Sequence, residues 1–172
     1  MVTIVQKEDP VLRQIAEPVP QEMIGSAKLK KIIKDMKTAL KAQDDGVAIA
    51  APQIGVSLRI FVVSGRIYEL LHPESEEPKE KPEDIVFINP KIVKISKERD
   101  ELEEGCLSVR YLYGKIIRAR KAKVQALNEK GETFEMGGSG LLAQIFQHET
   151  DHLDGKLFID DATDIHDLPP KA

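Results

Sequence analysis

With a single cysteine, Cys106, in 172 residues, the chain cannot close an internal disulfide, so Cys106 is a buried structural thiol, a reactive thiol or a metal ligand. Nor is there an excess of positive charge. The 25 lysines and arginines against 29 acids give a net charge of −4, which argues against the basic face that nucleic-acid binding requires. No run approaches the roughly 20 consecutive apolar residues of a membrane-spanning helix, and the start, Met1-Val2-Thr3-Ile4-Val5-Gln6-Lys7, lacks the layout of a secretion signal. These absences predict a cytoplasmic protein with no membrane association and no direct nucleic-acid site. Internal repeats are lacking too, and strands and helices interleave too irregularly for repeated βαβ units, which leaves an α+β fold.

What is present suits one domain over 1–172, since 41% hydrophobic residues in a chain of this length can build a stable core. Leu29, Ile32, Ile33, Met36 and Leu40 recur at helical spacing, predicting an amphipathic helix over 26–43 capped by Ser26. The arm before it, with Pro10, Pro18 and Pro20, reads as irregular and packed, without chemistry of its own. Short β-branched runs at 58–63, 85–89 and 92–95 read as strands, and 122–127 and 132–136 flank Asn128-Glu129-Lys130-Gly131 as a hairpin. Residues 72–84, polar and proline-rich, read as a surface loop. A second helix is expected after Gly137-Gly138-Ser139-Gly140, running to about Leu153 with Gly155 as its stop, and 161–172 reads as a polar tail. The expectation is therefore small antiparallel or mixed β-sheets packed around this central helix, with the amphipathic helix nearer the N-terminus.

The second helix carries His148-Glu149-Thr150-Asp151-His152, an HExxH pattern. At i and i+4 the two imidazoles project from one face and can share a metal ion, with Glu149 beside it as a candidate general base. Such short patterns also arise by chance, yet two of only four histidines fall in this one. Two imidazoles leave a site incomplete, and Cys106 is the best third ligand. A thiolate with two imidazoles suits Zn²⁺ or Fe²⁺ better than Ca²⁺ or Mg²⁺, which prefer oxygen. A lone cysteine is by default a small buried hydrophobe, and its setting in Glu104-Gly105-Cys106-Leu107-Ser108 reverses that default.

Three segments together resemble the signature motifs of the peptide deformylase family: Gly46-Val47-Ala48-Ile49-Ala50-Ala51-Pro52-Gln53-Ile54-Gly55, Glu104 to Ser108, and Gln147-His148-Glu149-Thr150-Asp151-His152-Leu153-Asp154-Gly155. The resemblance extends from the N-terminal arm to about Asp160. It implies one divalent ion on Cys106, His148 and His152, with ferrous iron expected and zinc, nickel and cobalt admitted by the same donors. It further implies Glu149 as the proton-transferring carboxylate, and the Gln53 side-chain amide with the Leu107 N–H as oxyanion donors. The implied substrates are N-formylmethionyl peptides of nascent chains, met at the ribosome exit.

Leu141, Ile145, His148 and His152 fall at i, i+4, i+7 and i+11 of one helix stripe, so Leu141 and Ile145 are placed to receive a methionine side chain, with Val47 or Ile49 as another wall. Apolar stripes more often simply fill a core. Ala48 and Gly105 complete the expected substrate-binding set. Glu104 is a candidate partner for a metal ligand or for Arg118.

Two departures from the family stand out. Ala48 occupies a position usually held by glycine, and Val109-Arg110-Tyr111-Leu112-Tyr113-Gly114 replaces a proline-containing segment with its peptide-gripping arginine. Tyr113 takes that arginine's place, and Arg110 and Lys115 are the cations nearest in sequence. Two other readings compete. One is a zinc peptidase whose third ligand lies downstream, among Asp160, Asp161, Asp164 and His166; the other is a metal-binding homologue without useful catalysis.

Overall fold

The computed structural model describes residues 2–72 and 82–171. Residues 73–81, most of the expected surface loop, thus lie outside the described residues. Helix α1 (Ala27–Lys41) forms where the apolar spacing predicts it. Ser26 Oγ accepts the Leu29 N–H at 3.2 Å, and Leu29, Ile33, Met36 and Leu40 form its buried stripe. In chain order there follow β1 (Ala48–Ala50), β2 (Ile60–Val63), a short helix α2 (Ile67–Leu71), β3 (Ile85–Ile95), β4 (Arg99–Gly105), β5 (Leu112–Ala119), β6 (Lys121–Leu127), β7 (Thr133–Ser139), α3 (Leu141–Leu153) and β8 (Thr163–Asp167).

Strands β1, β2, β3, β6 and β7 make one antiparallel sheet in that order, and β4, β5 and β8 make a second. Along β2 the pleat sends Phe61 and Val63 to one face and Ile60 and Val62 to the other. Helix α3 covers the first face, where the rings of Phe61, Phe87 and Phe146 pack with centroids 4.5 to 6.4 Å apart. Helix α1 covers the second, against Ile49, Ile60, Val62 and Ile88. Burial on both sides explains why β2 and the first half of β3 read as unbroken apolar runs rather than alternating ones.

The structure corrects several expectations. The runs 85–89 and 92–95 are one strand, β3, not two. Asn89 takes a left-handed backbone (φ 49°) while its amide side chain bonds both the N–H and the carbonyl of Val19, and the pairing with β6 shifts register between Ile88 and Lys91. Pro90 therefore sits in a bulge where no ladder donor is needed. Gly137 to Ser139 are not a loop but the end of β7, paired with Lys123 to Lys121. The polar tail contributes β8, whose residues are all exposed and pair with Leu112, Tyr113 and Lys115 of β5. Strand β4 had no apolar signal because it carries mainly acids, with Leu102 its one large aliphatic residue.

Where α3 ends, the chain turns back onto the N-terminal arm. Gly155 has φ 73°, and a Cβ there would stand 2.7 Å from the Arg13 carbonyl oxygen. An alanine meets both a disfavoured backbone region and a rigid backbone atom. Gly155→Ala is expected to cost about 2 kcal/mol or more, seen as a melting temperature lower by roughly 5 °C in calorimetry. An unchanged transition would show that the turn relaxes freely.

Candidate metal centre

Helix α3 is fixed at its middle and at its C-terminal end. Gln147 bonds the N–H and carbonyl of Ala119 at 2.9 and 3.0 Å, tying the helix to β5, and the Leu153 carbonyl accepts the Ala16 N–H at 2.9 Å. This places His148, Glu149 and His152 beneath the loop that follows β4. Cys106 opens that loop in a tight turn, with Val109 N–H bonding its carbonyl and Ser108 N–H 3.4 Å from its sulfur.

Cys106 Sγ and one ring nitrogen from each of His148 and His152 all lie within 4.8 Å of one another. His152 Nε2 is 3.2 Å from the sulfur, and the two imidazoles meet edge to face, centroids 4.9 Å apart. Glu104 Oε1 takes Nδ1 of His148 at 2.6 Å, which fixes that ring with Nε2 turned to the sulfur. Two buried side-chain atoms lack any hydrogen-bond partner among the described residues, Glu149 Oε2 and His152 Nδ1. A thiolate, two imidazoles and an unpartnered carboxylate oxygen beside them fit a borderline-soft divalent cation with one position left open.

Gln53 sits in the 3₁₀ turn Ala51–Ile54, closed by Gly55 in a left-handed conformation (φ 80°). Its Oε1 accepts the Ala50 N–H at 2.8 Å, so Nε2 turns toward Ser108 Oγ (3.1 Å) and Cys106 Sγ (3.6 Å). The amide thus points its donor end at the thiolate side. A cavity of about 280 Å³ opens over this group. Val47, Ala48, Leu107, Leu141 and Ile145 supply its apolar lining, Gln53, Cys106, His148 and Glu149 are among its polar groups, and Gly105 lies under the Tyr113 ring, which an added Cβ would meet at 2.5 Å. Ile49 corrects the expected wall: the pleat of β1 turns it to the opposite face, fully buried against α1.

Arg110 reaches the cavity, but its guanidinium is held by Asp45 at 2.6 and 3.0 Å and by Gln43 at 3.1 Å. Lys115 instead stands 3.4 Å from Asp164. The downstream ligand candidates do not join the donor group. His166 is exposed, 3.4 Å from Glu103, and Asp160 is bonded by Arg13 at 2.7 Å.

Several supports were missed in the sequence. Gln144, one turn before His148, donates to Glu104 Oε2 and to the Glu103 carbonyl, both at 3.0 Å. Its i, i+4 spacing was the available signal. The expected pairing of Glu104 is present on both counts, since Arg118 grips it with two bonds, 3.1 and 2.6 Å, and His148 takes it too; what was not foreseen is the third Arg118 bond, to Asp151 at 2.7 Å. The N-terminal arm clamps both loops: Val5 N–H bonds the Gln53 carbonyl at 2.9 Å, and Gln6 bonds Leu107 O and Arg110 N at 3.1 and 3.2 Å. Nothing in Gln6 itself announces this.

Burial alone would raise Glu104, but hydrogen bonds from His148 and Arg118 outweigh it and bring the carboxyl down to about 2. Burial likewise opposes the charge on His148, and the adjoining Cys106 and Glu104 overturn it, holding this imidazole well above its ordinary range. That is an electronegative seat for a cation. His152 is driven low by burial and by His148. Glu149 is pushed up to about 7, chiefly by burial, which suits a group that takes and returns a proton near neutrality.

Comparison with known proteins finds relatives across nearly the whole chain. Residues 1–167 match the model of the polypeptide deformylase family. Peptide deformylase 2 of Clostridium acetobutylicum is 41% identical over 158 residues, covering 91% of this chain and 92% of that one. The peptide deformylase of Acidobacterium capsulatum is 44% identical over 156 residues, with 91% and 83% covered. Among solved structures, a Met-Ala-Ser-bound class I type b peptide deformylase from Acinetobacter baumannii superposes with a TM-score of 0.79 at 32% identity, over 93% of this chain and 97% of that one.

Proposed function

Because this chain belongs to the polypeptide deformylase family, whose reaction is the metal-dependent removal of the formyl group from nascent peptides, we propose that Cys106, His148 and His152 hold the metal and that Glu149 moves the proton. The carrying observation is the convergence of one sulfur and two ring nitrogens within 4.8 Å, beside a buried carboxylate oxygen that has no other partner. A divalent cation held there supplies Lewis-acid activation of water and of the formyl carbonyl. Glu149 takes a proton from the attacking water and returns it to the departing amine, so that formate and a free amino terminus leave. The Gln53 amide and the Leu107 N–H donate to the oxygen on which charge develops. Glu104 holds His148 in the tautomer that ligates.

The apolar lining of Leu141, Ile145, Leu107 and Val47 accepts the methionine side chain, in a cavity of about 280 Å³. Among the described residues strand β1 ends its sheet and pairs only with β2, which leaves an open edge beside Ala48 for the substrate backbone. The relative from Acinetobacter baumannii carries Met-Ala-Ser, and the same peptide, formylated, is the natural probe. The place of action we assign is the cytoplasm at the ribosome exit; no helix of the described residues is long and apolar enough to cross a membrane.

Ferrous iron is the ion we propose. Anaerobically purified, iron-loaded protein is expected to release formate from formyl-Met-Ala-Ser at least tenfold faster than the zinc-loaded form, and to lose that activity in air as the iron–thiolate centre oxidises. Equal turnover by both ions would remove the preference for iron. No turnover with either ion, despite a filled site, would overturn the assignment of activity to this site.

A further inference from the structure

The lysines that the net charge conceals are collected by strand register. Lys94 of β3 stands directly opposite Lys123 of β6, and Lys121 lies two residues along the same face. Lys91, opposite Gln125, extends the row. Like charges directly opposed across strands destabilise a sheet, and little here relieves them. Among the described residues Lys123 has Glu135 at 3.7 Å, while Lys91, Lys94 and Lys121 have no ion-pair partner. Ala122, Val124 and Ala126 of β6 face α3, so the lysines point the opposite way, away from the metal centre.

These side chains flank a groove of about 440 Å³, with Lys94, Lys121 and Lys123 as its charged groups, Gly137 bare in its lining, and no acid among its lining residues. Over Gly137 an added Cβ would meet only the end of the Lys123 side chain at 4.0 Å, so a ligand backbone can come close to the sheet. We propose that this groove binds the phosphodiester backbone of RNA. Lys121 and Lys123, two residues apart on an extended strand, are separated by about 7 Å, comparable with the spacing of successive backbone phosphates. The lining offers no aromatic ring for base stacking, so binding is to phosphate and independent of sequence. The choice of RNA over other polyanions rests on the proposed function, which puts the protein beside nascent chains at the ribosome exit, and a site on the far face leaves the metal centre free.

The test uses the full metal-loaded chain with a fluorescein-labelled 20-base-pair RNA hairpin, read by anisotropy from about 20 to 200 mM salt. Simultaneous replacement of Lys94, Lys121 and Lys123 by alanine is expected to weaken binding at least tenfold and to reduce the slope of log affinity against log salt by roughly 2 to 3. Replacing Lys7, Lys156 and Lys171 together, three exposed lysines elsewhere, should alter the slope far less. Formate release from formyl-Met-Ala-Ser should be unchanged in both variants, and the melting temperature of the first no lower, since its substitutions remove a repulsion. No hairpin binding by the wild type at the lowest salt, or equal loss in the two triple variants, would overturn the proposal. Binding to phosphatidylglycerol vesicles in place of the hairpin would also overturn it.

Discussion

Replacing Glu149 by glutamine is expected to lower formate release by about a thousandfold while the bound metal stays at one per chain. Glutamine keeps the size and shape of a side chain that is only 4% exposed, so the packing of α3 against the sheet is undisturbed. What is lost is the capacity to take a proton. Glu149 is outside the donor group formed by Cys106, His148 and His152, and its Oε2 has no hydrogen-bond partner among the described residues. Its carboxyl, raised to about 7 by burial, is otherwise a cost to the fold with no structural return. The variant should therefore melt no lower than the wild type. Metal content, circular dichroism and kcat decide the matter together, and near-normal turnover with a full site would move the proton transfer to another group.

Helix α1, helix α3 and the β6–β7 hairpin were legible in the sequence because each carries its own local signal: the stripe Leu29 to Leu40 with the Ser26 cap, the stripe through Leu141 and Ile145, and the turn at Asn128 to Gly131. Strand β4 was not legible. A strand of Arg, Asp and Glu around Leu102 buries little, and it exists because β5 offers a full ladder from Arg99↔Ala119 to Gly105↔Tyr113. Nor could β3 be read as continuous through Asn89-Pro90, since what sustains it is a long-range pair of bonds from Asn89 to Val19.

The candidate site divides in the same way. Its donors sit in short motifs, and the structure brings Cys106 to His148 and His152 as those motifs imply. The face on which a pocket residue falls depends on the pleat of a strand only three residues long, so Ile49 and Ala48 could not be sorted before the register of β1 against β2 was known. The same holds for the opposed lysines, scattered over 91–123 in the sequence and gathered only by pairing. A net charge of −4 says nothing about where the positive charges meet.

Glu104→Ala is expected to damage fold and metal site together. Glu104 and Arg118 are both buried, and the carboxylate joins Arg118 to Nδ1 of His148 through bonds of 2.6 to 3.1 Å. Its removal leaves a buried guanidinium with Asp151 as its remaining partner and frees the His148 ring to rotate. Breaking one side of a buried pair costs about 3 to 5 kcal/mol, and losing the carboxylate behind a ligating histidine lowers metal affinity about 10- to 100-fold. The stability difference also carries a pH signature. The carboxyl is depressed from an ordinary 4.5 to about 2, so its contribution is complete above pH 4.5 and lost as the pH falls through 2. Denaturant midpoints of wild type and variant should therefore lie furthest apart near neutrality and converge on acidification across that window. A gap that stays constant down to pH 2 would mean that Glu104 stabilises the fold by packing rather than by its charge. Metal affinity unchanged in the variant would mean that His148 is oriented by the helix alone.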